Sequence, residues 1–181
     1  MLDIRPPVCD FYLAEPSTAS SHAVLLHSAL HLFNTARWRS TVERAKSALR
    51  RQAWRLFDLD VITPSQVRGR RYAGIQSVAI SQIRGSMGRA GDFDHSFHPL
   101  DDRLRSRWIS VAMARSQYVP LPPVSLVQVG GLYFVEDGHH RISVARALGE
   151  SAIDAEVTVW DVHGPLPWEA QPVLQPAWQA A

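Results

Sequence analysis

The segment Asp137-Gly138-His139-His140-Arg141 limits the possible folds of this chain more than any other, because it joins a predicted strand to a predicted helix through a glycine. An apolar run over residues 132–135 predicts the strand, and a periodic run over residues 141–148, followed by Gly149, predicts the helix and its end. Asp137 can cap this helix. A glycine turn at a helix N-terminus leaves backbone N–H groups free at the positive end of the helix dipole, which favours phosphate or another anion.

The side chains of the same turn strengthen the prediction of an anion site. His139 and His140 supply imidazoles and Arg141 supplies a guanidinium, all in the first helical turn. The spacing alone equally allows an ordinary strand–helix turn whose polar side chains point into water, since short glycine motifs arise often by chance. Residues 137–141 are therefore a candidate anion-binding turn.

Further strands and helices are predicted around this turn. Strands are expected over residues 76–83, 124–129 and 153–160, with Gly130-Gly131 closing a hairpin between residues 124–129 and 132–135. A helix is expected from Asp101 or Asp102 to about Tyr118, and residues 85–94, which hold three glycines, predict a loop. The tail from His163 is rich in proline and predicts an extended segment with one or two tryptophans docked on the domain.

A long helical stretch is predicted over residues 21–59. Apolar residues recur there at steps of three and four and form one stripe that we expect to face the core: Leu26, Leu30, Phe33, Trp38, Val42, Ala45, Leu49, Ala53 and Leu56. No glycine or proline interrupts residues 21–63, so one long helix is possible, and a break near Asn34-Thr35 would instead give a two-helix hairpin.

Basic residues concentrate in residues 37–71, where ten of them stand against three acidic ones and give +7, although the whole chain carries only +2. The arginines flank the apolar stripe on both sides, with Arg37, Arg44, Arg51 and Arg55 along one edge. Three interpretations stay open: an ordinary packed helix with snorkelling arginines, a surface for the nucleic-acid backbone, or a surface for a membrane or partner helix.

Composition excludes several classes of protein. The 46% hydrophobic and 20% charged content is that of a soluble globular protein, and no apolar run approaches about 18 residues, so no membrane span is predicted. The N-terminus lacks the basic and apolar regions of a signal peptide. Cys9 is the only cysteine, which excludes an internal disulfide and a cysteine-based zinc site and fits a cytoplasmic location.

The run from Tyr133 to Arg141, together with Ala145, Leu148-Gly149 and residues 153–157, resembles the core of the ParB/sulfiredoxin fold. Residues 78–83 resemble that family's first strand, and residues 85–94 lie where the family has its phosphate-side loop. The resemblance covers about residues 70–160 and implies an α+β fold, a small mixed sheet with packed helices. Its expected organisation is a helical extension over residues 1–63, the domain over residues 64–162 and a proline-rich tail over residues 163–181.

The resemblance also implies a site, because the turn is most similar to that of free-serine kinases of this fold. In those enzymes the turn holds nucleotide phosphates and an upstream acid acts as base, a chemistry of positioning and charge neutralisation. It implies binding of ATP, ADP or CTP with Mg²⁺ by Arg89, Asp137, Gly138, His139, His140 and Arg141. It makes Asp92 and Asp94 the candidate catalytic residues, and we interpret His95 and His98 beside them as loop residues rather than metal ligands.

Two branches of the family differ from this chain at the turn itself. Sulfiredoxins carry a cysteine directly after the turn glycine, where this chain has His139, so their sulfur chemistry is excluded. ParB proteins carry Gly-Glu-Arg-Arg, of which only Gly138 and Arg141 match, and their second nucleotide motif and helix-turn-helix region have no counterpart after Trp160. A clamp-forming partition protein is therefore not expected.

The leading hypothesis is a nucleotide- or phosphate-binding domain of ParB/sulfiredoxin type, with phosphoryl transfer or nucleotide hydrolysis as an open extension. The alternative is a non-enzymatic regulatory or DNA-associated module that uses the basic residues 37–71. A third hypothesis is a domain that kept the fold and lost catalysis. The sequence leaves the nucleotide base, the acceptor, the pathway and the oligomeric state open.

Overall fold

The computed structural model describes residues 18–50 and 54–168, which form three α-helices, four short 3₁₀ helices and six strands. The α-helices are α1 (Thr18–Arg50), α2 (Arg105–Ser116) and α3 (His139–Ala147). The strands are β1 (Phe57–Asp58), β2 (Val67–Ala79), β3 (Ile83–Ser86), β4 (Val124–Val129), β5 (Leu132–Asp137) and β6 (Ala152–Val162). None of the described helices is long and apolar enough to cross a membrane.

The six strands form one mixed sheet in the order β1-β3-β5-β4-β6-β2. Strands β4 and β5 are the predicted hairpin, with Val129 opposite Leu132, while β3 pairs parallel to β5 and β6 pairs parallel to β4. The edge strand β2 pairs antiparallel with β6 over nearly its whole length. A mixed sheet with packed helices confirms the predicted α+β class.

Both faces of the central strands of the sheet are covered, whereas most of β2 is exposed. One face carries Val124, Leu126, Ala155 and Val157 beneath the start of α3 and the loops before α2. The other face carries Val127, Val129 and Phe134, which pack against Leu59, Ile62 and Trp168. The chain before residue 64 and the chain after residue 162 thus both add side chains to this second layer, and Trp168 is the docked tryptophan that the tail composition predicts.

Strand boundaries differ from the sequence prediction where tertiary pairing decides them. Strand β2 begins at Val67 rather than near residue 76, because β6 offers it a partner along that whole length. Gly85 and Ser86 belong to β3 and not to a loop, since β3 runs between β1 and β5. A Cβ at Gly85 would lie 2.1 Å from Phe134 and 2.8 Å from the Phe57 carbonyl oxygen, so only glycine fits this strand.

Helix α1 is one continuous helix through Asn34-Thr35, so the hairpin alternative is wrong. It does not reach residue 59, because Leu56 and Leu59 enter the core from chain that is not α-helical and Phe57 pairs with Gly85. Ala53 of the predicted stripe lies outside the described residues.

Only the first part of the predicted stripe of α1, Leu30 and Phe33, packs on the domain, and the stripe from Trp38 onwards does not. The buried side chains are Ala29, Phe33, Ala36, Ser40 and Ser47, whereas Trp38 is 67% exposed and Leu49 is 87% exposed. Small residues on the inner face let α1 approach α2 closely, and Phe33 meets the edge of Trp108 with ring centroids 5.5 Å apart. Helical periodicity alone cannot distinguish this face from the stripe of larger side chains.

Arginines of the basic region contact their own chain. Arg37 donates hydrogen bonds to the Leu100 and Pro99 carbonyl oxygens and lies 3.4 Å from the Asp102 carboxylate. The guanidinium groups of Arg44 and Arg55 lie over the Trp54 ring at 5.0 and 4.9 Å from its centroid. Arg51 lies outside the described residues. Arg37 and Arg44 therefore connect α1 to Trp54 and to the chain before α2, whereas Arg55 stacks on its own neighbour in sequence.

The packing of α1 predicts opposite effects for two aromatic substitutions. Phe33→Ala should lower the free energy of unfolding by about 3–5 kcal/mol, because it leaves a cavity against Trp108. Trp38→Ala should change it by no more than about 0.5 kcal/mol, because the side chain is mostly in water. Urea denaturation followed by circular dichroism measures both, and equal losses would contradict this orientation of α1.

Candidate functional site

A cleft of about 1070 Å³ opens at the start of α3, and we name it the α3 cleft. Its walls are the turn after β5, the loop after β3, one side of α2 and the proline segment before β4. Seven of the eight predicted site residues line it: Arg89, Asp92, Asp137, Gly138, His139, His140 and Arg141. The eighth, Asp94, does not line it.

Gly138 sets the geometry of the turn. Its φ of 99° lies in the left-handed region, and a Cβ there would stand 2.5 Å from Val124 Cγ1. The first helical bond of α3 runs from the Ile142 N–H to the Gly138 carbonyl oxygen at 3.0 Å, so the preceding amides have no acceptor within the helix. These N–H groups and the helix dipole make the predicted anion-binding turn physically sound.

Asp137 does not cap α3, contrary to the sequence prediction. Gly138 occupies the N-cap position and no side chain caps the helix. The Asp137 carboxylate instead accepts a hydrogen bond from Arg141 Nη2 at 2.6 Å. The C-terminal prediction is confirmed, since Gly149 has a φ of 81° and the Glu150 N–H bonds the Ala145 carbonyl oxygen at 2.9 Å.

His139 is buried and joins the two walls of the cleft. Its Nε2 lies 2.7 Å from Ser86 Oγ at the end of β3, and its ring stacks on Phe93. Burial, with a smaller contribution from Arg89, lowers the pKa of His139 to about 4. The imidazole is therefore neutral at physiological pH. Ser86 Oγ also accepts a hydrogen bond from the Arg89 N–H at 3.2 Å, which connects the loop after β3 to the turn.

His140 is held more loosely than His139. Its ring meets the edge of Phe93 with centroids 5.6 Å apart, and its buried Nδ1 has no hydrogen-bond partner among the described residues. Burial, followed by the charges of Arg89 and Arg107, lowers the pKa of His140 to about 4. A buried ring nitrogen without a partner is costly, which is typical of a site that gains a partner on binding.

Arg141 is largely committed to holding the cleft wall. One of its terminal nitrogens, Nη1, donates to the carbonyl oxygens of Pro122 and Pro123, and the other, Nη2, donates to Asp137. Its side chain is accordingly mostly buried. Arg141 therefore fixes the proline segment against the turn, and only its remaining donor capacity faces the cleft.

Two other arginines present free guanidinium groups to the cleft. Arg89 and Arg107 are exposed, line the cleft and have no ion pair or side-chain hydrogen bond within residues 18–50 and 54–168. Sequence reasoning missed Arg107, which lies on α2 about thirty residues before the turn. Arg107 stands three residues after Leu104 and four before Val111, so helical periodicity places it at the edge of the inward face of this helix.

The two candidate catalytic carboxylates have different surroundings. Asp92 lines the cleft and pairs with Arg103, which is also a cleft residue. Asp94 is fully buried: its Oδ1 accepts the N–H groups of Ser96 and His98, and its Oδ2 lies 3.0 Å from His98 Nδ1. Asp94 therefore stabilises its own loop through hydrogen bonds. Of the two carboxylates, only that of Asp92 lines the cleft.

Carboxylates also stand at the rim beside the turn. Glu136 and Asp137 both line the cleft, although strand alternation predicts that only one of them does. Glu136 is exposed and forms no ion pair with the described part of the chain. No group of three or more histidine, cysteine or acidic side chains converges as a metal site within the described ranges.

The comparisons with known proteins add little to this geometry. No protein-family model matches the sequence, and no curated protein matches it. Among solved structures, the chain is similar to sulfiredoxin from Arabidopsis thaliana, with 16% identity and a TM-score of 0.34 over 56% of this chain and 98% of that one. A likeness of this degree carries no information on ligand, activity or partner.

The low pKa values predict that acid destabilises the protein. The unfolded chain protonates histidine near pH 6.5, whereas folded His139 stays neutral to about pH 4, so the unfolded state binds more protons between these values. The free energy of unfolding should fall by about 2 kcal/mol between pH 7 and about pH 5 from His139 alone. Urea denaturation at both pH values should show a smaller difference for His139→Asn, and an unchanged difference would contradict the burial of a neutral ring.

Proposed function

We propose that the α3 cleft binds a nucleotide or another phosphate-bearing ligand, with the phosphate at the start of α3. The observation that carries the proposal is the convergence on one cleft of the Gly138 turn and two unpaired guanidinium groups, those of Arg89 and Arg107. A phosphate can accept hydrogen bonds from the free amides and from both arginines. Charge-assisted hydrogen bonds of this kind are stronger than those between neutral groups.

The remaining residues of the cleft are suited to the same ligand. His139 and His140 are neutral, so they offer N–H donors or nitrogen acceptors without adding charge. Leu104, Val111, Leu121 and Pro122 give the far end of the cleft an apolar lining, against which a base can pack. ATP, ADP and CTP all combine phosphates with a flat aromatic base whose faces can pack on apolar side chains.

Mg²⁺ would enter the cleft with the nucleotide phosphates, because the described carboxylates there do not converge as a metal site by themselves. Asp92, Glu136 and Asp137 bring carboxylate oxygens to the cleft, and oxygen is the ligand atom that Mg²⁺ prefers. A bound Mg²⁺ would neutralise phosphate charge. Among the three, Glu136 has its carboxylate free of other partners in the described chain, whereas Asp92 and Asp137 are paired with arginines.

The DNA-associated alternative has less support. Arg37, Arg44 and Arg55 of the basic region contact Leu100, Asp102 and Trp54 of their own chain. Guanidinium groups held in this way would have to break those contacts before they could neutralise nucleic-acid phosphates.

Binding is tested by titration calorimetry with ATP, ADP and CTP, each with and without Mg²⁺. Arg89→Gln and Arg107→Gln should each weaken the affinity for the nucleotide that binds by about ten- to a hundredfold, the value of one charge-assisted hydrogen bond. Arg68→Gln is the matched control, because Arg68 is equally exposed but lies on the edge strand β2. If no nucleotide binds the wild-type chain, or if all three variants bind equally, the proposal fails.

Phosphoryl transfer is the second candidate, and the position of Asp92 in the cleft favours it. A carboxylate there can orient an attacking hydroxyl or water. Asp92→Asn should then reduce turnover at least about a hundredfold while nucleotide affinity is retained. Asp94→Asn should mainly lower the free energy of unfolding, since Asp94 is buried within its loop.

The turnover assay measures nucleoside diphosphate and phosphate formation with serine, with other hydroxyl compounds or with water as the acceptor. If no acceptor supports consumption of the nucleotide, the catalytic candidate fails and the binding proposal stands by itself.

A further inference from the structure

Helix α1 presents a second apolar face that points away from the domain. Trp38, Val42, Ala45 and Leu49 form this face, which we name the outer stripe. Trp38 and Leu49 are among the most exposed large apolar side chains of the described residues, Ala45 is exposed and Val42 is half-buried. On the opposite side of this part of the helix the buried residues are Ser40 and Ser47, which are small, whereas the large buried residue Phe33 lies earlier in α1.

This arrangement is the reverse of an ordinary surface helix. Large apolar side chains normally face the core and small polar ones face water, because burial of apolar area is the main stabilising contribution. Here the residues with most apolar area to bury, Trp38 and Leu49, remain in water along about 16 Å of helix. A stripe of this length is typical of a surface that another molecule covers.

The spacing of the outer stripe indicates what that molecule is. Its residues follow one another at steps of four, three and four, which is the a/d spacing of a coiled-coil seam. A seam of this kind packs against a second helix, whose apolar side chains fit between those of the seam. The far side of α1 is already occupied by α2, so the partner helix would complete a three-layer arrangement.

A groove beside the stripe supports a protein partner rather than a bilayer. It has a volume of about 430 Å³ and lies between α1 and the loop before α2, where Ser96 and His98 form its far wall. Trp38 and Val42 form its apolar near wall. A concave wall of this kind receives inserted side chains, whereas a lipid surface needs a face that is free on both sides.

Charges along the groove select the partner. Arg39 and Lys46 flank the stripe on the groove side, and Arg39 has no ion pair within the described chain. Lys46 is 2.9 Å from Glu43, so the flank keeps a net positive charge. Two antiparallel copies of α1 would bring Arg39 of one copy beside Lys46 of the other, which repels. The flank is complementary to acidic residues instead.

We propose that the outer stripe and its groove dock an amphipathic helix of a partner protein that carries acidic residues beside its apolar seam. The docked helix covers Trp38 and Leu49 and places its carboxylates near Arg39 and Lys46. This inference is independent of the α3 cleft, whose lining shares no residue with the groove.

The probe is a fluorescent peptide of about three heptads with leucine at a and d and glutamate at e and g. Glutamate at these flanks makes the peptide repel itself, so it stays free to pair with a basic flank. The matched probe carries lysine at e and g. Fluorescence anisotropy with the full chain should show binding of the glutamate peptide at least about tenfold tighter than binding of the lysine peptide.

Three variants locate the contact. Trp38→Gln combined with Leu49→Gln should weaken binding at least about tenfold without loss of helical circular dichroism, since both side chains are exposed. Arg39→Glu combined with Lys46→Glu should reverse the preference towards the lysine peptide. Tyr118→Gln is the control, because Tyr118 is 93% exposed but lies after α2, and it should leave binding unchanged.

Other occupants give distinct outcomes that overturn the proposal. Equal binding of the two peptides, or no binding of either, contradicts an acidic partner helix. A full chain that sediments as a dimer and becomes monomeric in the Trp38→Gln, Leu49→Gln variant would assign the stripe to a second copy. Flotation with vesicles of anionic lipid, lost in the same variant and without peptide binding, would assign it to a membrane surface.

Discussion

The packing of Gly138 against Val124 is the contact on which the rest of the site depends. The backbone of Gly138 adopts a left-handed conformation and lies so close to β4 that no side chain fits between them. This contact sends the chain from β5 directly into α3 and aims the first turn of the helix at the loop after β3. The free amides, the bond from His139 to Ser86 and the reach of Arg141 to the proline segment all follow from that direction.

Ion pairing, and not the number of charged residues, decides which side-chain charges in the α3 cleft are free. Arg103 and Arg141 are engaged with Asp92 and Asp137, so they build the walls, while Arg89 and Arg107 remain free to meet an anion. Burial keeps both histidines neutral, which removes charge that a solvated turn of the same sequence would acquire in mild acid. The positive charge of the cleft therefore comes from its arginines and from the start of α3, and not from its imidazoles.

Helix α1 shows how strongly the size of side chains affects helix packing. Alanine and serine on its inner face allow a close approach to α2, and one large residue, Phe33, fills the remaining space against Trp108. The larger apolar residues Trp38 and Leu49 are then left on the outside, where they are mostly in water. The arginines at the edges of the helix serve to attach it to Trp54 and to the loop before α2.

Local sequence determined the features that depend on neighbouring residues. The hairpin of β4 and β5, the glycine turn into α3 and its glycine C-terminus were all predictable, because glycine conformation and apolar periodicity act over a few residues. The α+β class was implied by the resemblance of these elements to a known fold family. Seven of the residues predicted for the site meet in one cleft because they flank a strand–helix turn and the loop that faces it.

Tertiary structure decided everything that depends on residues distant in the chain. It extended β2 along β6, turned Gly85 into a strand residue beneath Phe134, and chose the inner face of α1. It also divided the charged residues into paired and free ones: Asp94 became a buried loop anchor, Arg141 a support for the proline segment, and Arg107 an unpaired guanidinium in the cleft. A side chain's partners are set by which surfaces the fold brings together, and residue type and spacing along one segment do not contain that information.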